Sequence, residues 1–156
     1  MDKNSILLLF TSLFFFFACR REYSASEVDT ICNQTSRSLH IDYYKDGIAD
    51  NSLSIDSIKR NACKQVYSAN GMGSTSNYIN TIIDIDSIVI TYYDGIQIVH
   101  YGYFMKSGLN SKALQFNNTR NLLNGQNWTP KITNGKHSKS SELSFVVTEQ
   151  DYLDAK

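Results

Sequence analysis

The 156-residue chain is short of proline, with one, and its eight glycines follow no period, so a collagen-like architecture is excluded. Sustained heptads are missing as well, which excludes a long coiled coil, and only one long apolar run occurs, which excludes a multi-span membrane protein. Neither charge is in excess: 15 Lys and Arg face 15 Asp and Glu, and 14 of each remain once Asp2 and Lys3 are set aside with the leader. That balance removes the electrostatic attraction on which nonspecific nucleic-acid binding depends, and no nucleic-acid partner is expected. Catalytic signatures are lacking too: no HExxH, GxSxG, phosphate-binding loop or EF-hand loop is found. Gly71-Met72-Gly73 lacks the third glycine of a phosphate cradle and reads as a loop. No CxxC or Cys/His spacing points to zinc. No cofactor, no metal and no enzymatic activity are expected.

What is present begins with the apolar run from Ile6 to Ala18, 13 residues without a charge. As a helix it reaches about 20 Å, short of the roughly 30 Å hydrocarbon core of a bilayer, so it does not span. Placed behind Lys3 and before Arg20-Arg21-Glu22, it reads as a secretory leader over residues 1–18. Its end, Phe16-Phe17-Ala18-Cys19, resembles the lipobox of bacterial lipoproteins. The resemblance implies that the leader is removed before Cys19, that Cys19 receives a thioether-linked diacylglycerol, and that the new amine is acylated. Each buried CH₂ contributes about 0.8 kcal/mol, and two or three chains hold a protein to a membrane stably where one does not. Arg20 stands where many lipoproteins have an Asp that resembles an inner-membrane retention signal. An outer-membrane anchor follows, with periplasmic and surface-facing orientations both open.

Cys32 and Cys63 remain, an even pair 31 residues apart in an exported chain. Two readings stand, a disulfide or two separate buried thiols. From Arg20 to about Thr30 the chain is polar with no apolar period, so residues 19–30 read as the lipidated Cys and a flexible tether ahead of a domain at 31–156.

The domain reads as β. Leu39, Ile41 and Tyr43 share one face of segment 38–44, and Leu53 and Ile55 repeat this in 52–58. Segment 62–68 alternates Cys63, Gln65 and Tyr67 against Lys64 and Val66. Segment 87–93 is apolar on both faces, as a central strand is, and Asp94-Gly95 joins it to 96–101 as a hairpin; Asp46-Gly47 ends the first strand in the same way. Residues 69–80 and 105–140 read as polar loops, the second anchored by Leu114, Phe116, Leu122, Leu123 and Trp128. Glu142–Thr148 forms a last strand, and Thr148 with Asp151 is a partial capping box for one helical turn. The expectation is all-β: a single antiparallel, immunoglobulin-like β-sandwich behind a lipoprotein leader and short tether.

The lipobox, Asp86–Ile90 with its following Asp-Gly turn, Arg120-Asn-Leu-Leu-Asn124, and the ending Phe145–Ala155 together resemble small lipoproteins of unknown function from Bacteroides-like bacteria. Across most of the mature chain that resemblance brings location rather than chemistry. It also implies candidate O-glycosylation at Asp-Ser/Thr-aliphatic sites, namely Thr30, Ser57 and Ser87. His40 and Asp42 share a strand face and read as solvent-facing polarity, while Asp84 and Asp86 alternate onto one face just ahead of a strand and read as turn and strand-entry acids, neither pair as metal ligands. Ten Tyr and Trp128 suit either strand rims or an exposed recognition platform, and one of each adjacent pair, Tyr43-Tyr44 and Tyr92-Tyr93, must face outward. The functional expectation is a lipid-anchored envelope protein, bound to the membrane through its anchor and acting as a non-catalytic binding or accessory module with a protein or glycan partner. The alternatives are an envelope hydrolase with an unrecognised acid/base pair and a structural subunit of an envelope complex.

Overall fold

A computed structural model describes residues 23–73, 75, 77–103 and 113–156. Cys19, the leader and the first part of the expected tether lie outside these residues. The elements are β1 (Ser24–Asn33), β2 (Leu39–Lys45), β3 (Ile48–Ala49), β4 (Ile55–Ile58), β5 (Ala62–Met72), the single helical turn α1 (Tyr78–Thr81), β6 (Ser87–Tyr92), β7 (Gln97–Tyr101), β8 (Thr129–Asn134), β9 (Ser138–Val147) and the closing helix α2 (Glu149–Ala155). The described chain is all-β in class, with strands in two sheets. One sheet runs β5-β1-β9-β8; the other runs β3-β2-β6-β7, with β4 also paired to β2.

The second sheet follows from side-chain parity. Leu39, Ile41 and Tyr43 of β2 and Ile88, Ile90 and Tyr92 of β6 all point inward and are buried. β6 lies between β2 and β7, as its two-faced apolar sequence requires. Asp46 and Gly47 both take positive φ, 52° and 73°, which is the turn geometry that an Asp-Gly pair permits between twisted strands. Ile31, Phe145 and Val147 bring the first sheet into the same core. An aromatic chain joins the two layers. Tyr43 of β2 meets Tyr78 of α1 at 6.4 Å between ring centroids, Tyr78 meets Trp128 at 5.6 Å, and Trp128 meets Phe145 of β9 at 5.6 Å.

Three expectations are corrected. Ser24–Thr30 is not tether but most of β1, whose ten residues pair with both β5 and β9. The expected loops are shorter than read, because β5 continues to Met72, α1 begins at Tyr78, and β8 arises within 105–140. The sheets are also not purely antiparallel: β1 and β9 run parallel, while the other pairings are antiparallel.

The Arg120–Asn124 segment is scaffolding. Asn121 is fully buried; its Nδ2 donates to the carbonyls of Tyr101 and Leu114, 2.9 Å each, and its Oδ1 accepts from Leu123 N at 2.8 Å. Leu122 N donates to His100 Nδ1 at 2.9 Å, and Leu122 O accepts from Trp128 Nε1 at 2.9 Å. Arg120 Nη1 reaches Asp151 Oδ1 at 2.9 Å and Nη2 pairs with Asp154, which clamps α2 to the body. At the start of α2, the backbone N–H and hydroxyl of Thr148 both donate to Asp151 Oδ2, at 2.7 and 2.8 Å.

Candidate functional site

α1 forms one wall between two unlike features. On its outer side, Ile79 and Ile82 line a pocket of about 260 Å³ with Ile83, Ile85, Tyr103, Phe116 and Leu123. No charged side chain is among its described lining residues. Gly125 closes against Ile79, where an added Cβ would stand 3.0 Å from Ile79 Cγ2. Gly102 lets the backbone pass so near Ile85 that a Cβ would meet its carbonyl oxygen at 2.4 Å. Tyr103 and Phe116 pack edge to face at 5.4 Å. Ile83 and Tyr103 are 66% and 72% exposed, so the rim shows apolar surface to solvent.

On its inner side, α1 meets the carboxyl group of Asp29, whose strand also carries Glu27 on the same face. β1 turns Ala25, Glu27, Asp29, Ile31 and Asn33 inward, so two acids occupy core-facing positions on one strand face, where burying an unpaired charge is costly. Asn33 is fully satisfied by Arg37 O, Ile58 O and Thr35. The acids are not. Asp29, 0% exposed, accepts from Tyr78 N at 2.5 Å through Oδ2, while its Oδ1 has no hydrogen-bond partner among the described residues. Glu27, 6% exposed, lines a cavity of about 130 Å³ with Thr75, Lys139 and Ser141. Burial, and then the neighbouring charge of Asp29, raise the Glu27 pKa above its ordinary value against the opposing hydrogen bonds of Ser141 and Thr75. The Tyr78 hydroxyl donates to the Tyr43 hydroxyl. Burial pushes both phenols well up, so both stay neutral.

The residues singled out in the sequence are dispersed. Cys32 and Cys63 stand directly opposite each other on β1 and β5 and are joined by a disulfide with a Cα–Cα distance of 3.9 Å. Thr30 is half-buried in β1 at its bulge against β5, Ser57 is exposed on β4, and Ser87 is half-buried at the start of β6. Cys19 lies outside the described residues. His40 Nε2 and Asp42 Oδ2 approach to 3.3 Å on the exposed face of β2. Asp86 accepts from Gly47 N at 3.2 Å and Asp84 from Lys45 at 3.5 Å, so this second pair serves the turn beside it. Among the described residues no group of three or more His, Cys, Asp or Glu is placed to hold a metal. Trp128 is buried and belongs to the core, not to a platform; Tyr93, by contrast, is 90% exposed beside buried Tyr92. Glu27 and Asp29 escape a reading of the sequence because they interrupt the apolar pattern of their strand. Their shared parity with Ile31 is the one signal that points them inward.

No family model and no curated protein matches the chain. Among solved structures, one from Eubacterium rectale, described as the NMR structure of a protein, is similar at 11% identity and a TM-score of 0.25, covering 81% of this chain and 91% of that one.

Proposed function

We propose that the chain is an outer-membrane lipoprotein, anchored through acyl chains on Cys19, whose β body acts as a non-catalytic binding module for an apolar group. In this reading the two sheets are the halves of an immunoglobulin-like sandwich, from which the parallel β1–β9 pairing departs. The observation that carries the proposal is the pocket beside α1, walled by isoleucines, Tyr103 and Phe116 and rimmed by exposed Ile83. Such a wall favours an acyl chain or an aliphatic side chain of a partner protein; a glycan needs hydrogen-bond partners that it does not supply. A hydrolase needs both of its acid/base groups open to substrate, and Asp29 of the Glu27–Asp29 pair is fully buried.

A photoactivatable fatty acid supplied to native envelopes tests the pocket. It labels the wild-type protein at Ile83 or Tyr103, and Ile83→Asp, which sets a charge on the rim, lowers labelling by about tenfold. Equal labelling of the two proteins overturns the binding reading. Globomycin treatment tests the anchor, since it causes an unprocessed precursor to accumulate.

A further inference from the structure

We propose that Glu27 and Asp29 hold one proton between them, that this proton latches α1 to β1, and that pH thereby sets access to the apolar pocket on the far side of α1. The inference rests on the binding reading above and adds its regulation.

The geometry supplies the argument. Asp29 Oδ1 is buried and lacks a donor, although buried polar atoms in folded proteins are rarely left so. Glu27 sits two residues away on the same strand face, with its carboxyl beside that of Asp29. Two carboxylates are both acceptors; a single proton turns one of them into the missing donor. The other groups around the pair are Lys139 and Ser141 of β9, Thr75 ahead of α1, Tyr78 of α1, Tyr43 of β2, and Tyr67, which stands opposite Asp29 on β5. Lys139 is exposed, and among the described residues neither acid is in an ion pair. Among the described residues, Lys139 is the one cation lining the Glu27 cavity, and it is not paired with either acid. The raised Glu27 pKa agrees with this arrangement.

The same Asp29 carboxyl holds the first residue of α1 through Tyr78 N, and Ile79 of α1 and Ile82 just after it are among the residues lining the pocket. When Glu27 loses its proton, Asp29 Oδ1 loses its donor and two like charges face each other, with Asp29 fully buried. Hydrating Asp29, which is fully buried, means parting it from Tyr78 N, the bond by which it holds α1.

Amide hydrogen exchange on the full lipidated chain in detergent micelles, corrected for intrinsic rates, reads the latch at residues 77–85. Protection falls as pH rises above the ordinary carboxylate range, by about tenfold for each unit by which Glu27 titrates late. In Glu27→Gln the amide still donates to Asp29 but cannot ionise, so protection stays level with pH. Carbon-13 side-chain titration of the wild-type carboxyls gives a second readout that needs no variant, and a Glu27 that titrates in the ordinary range overturns the latch. Fatty-acid photolabelling at low and high pH then separates the two claims. Exchange that is flat with pH while labelling persists overturns the latch and leaves the binding reading standing; a stepped exchange without labelling at either pH overturns the binding reading and leaves the latch.

Discussion

Replacing Asn121 by Ala removes a side chain that makes three hydrogen bonds, to Tyr101 O, Leu114 O and Leu123 N, from a fully buried site. The losses are unequal. Leu114 O keeps a second donor, the Tyr101 N–H at 2.9 Å, whereas Leu123 N is left without its acceptor beside the core. One hydrogen bond contributes about 1 kcal/mol net and a stranded buried group costs about 1–3 kcal/mol, so the variant is destabilised by roughly 3–4 kcal/mol. For a domain of this size that lowers Tm by roughly 10–15 °C. Thermal unfolding followed by circular dichroism checks the figure, with exposed Asn117→Ala as the control, expected within about 0.5 kcal/mol of wild type. A shift below about 3 °C for Asn121→Ala would refute the view that the Arg120–Asn124 segment ties β7 to the chain that follows it.

Two further tests concern pH and the disulfide. Burial lowers the His100 pKa to about 3, so between roughly pH 6.5 and 3 the unfolded chain binds a proton that the folded one refuses. Stability therefore falls as pH drops through that window, by roughly one kcal/mol per unit, and urea melts of His100→Gln lose this slope. Reduction or Cys32→Ser opens a loop closed over 31 residues and lowers stability by roughly 3–4 kcal/mol in the chain-entropy view. A free-thiol count on the unreduced chain that finds two reactive thiols in the mature domain would show the pair unjoined.

How much of the fold can be read in the sequence depends on whether a residue's local pattern agrees with its final place. β2 and β6 were legible because Leu39, Ile41 and Tyr43, and Ile88 and Ile90, keep parity and are buried on that parity. The hairpin turns were legible because Asp-Gly offers the backbone geometry both require, with Gly95 at φ 83°. β8 was hidden because Pro130 and Lys131 read as loop, yet both suit an edge strand: a proline there withholds no ladder hydrogen bond that the sheet needs, and a lysine discourages further pairing. α2 was legible from Thr148 and Asp151, but its clamp to Arg120 lies 31 residues away in sequence, and no local pattern carries it. The pocket was illegible for the same reason, since its walls come from segments either side of β6 and β7.

β1 is the strand on which local rules fail most, and the failure bears on function. A strand in the middle of a sheet, with partners on both edges, ordinarily carries apolar residues on its inner face. Here Glu27 and Asp29 take two of those places, and a pair of aliphatic residues would stabilise the fold by removing an unpartnered carboxyl oxygen. The surrounding chain holds the acids in place rather than excluding them: a register of paired residues on both sides of β1, a disulfide at its far end, and the bond from Tyr78 N to Asp29. A costly arrangement so well supported is expected where a protein keeps a group poised rather than merely packed. The element it touches is α1, four residues long, held on its inner side by Asp29 at Tyr78 N and by Tyr43 and Trp128 at the Tyr78 ring, and contributing Ile79 to the pocket lining. So short a helix has little stability of its own, and its position is set by whatever holds Tyr78.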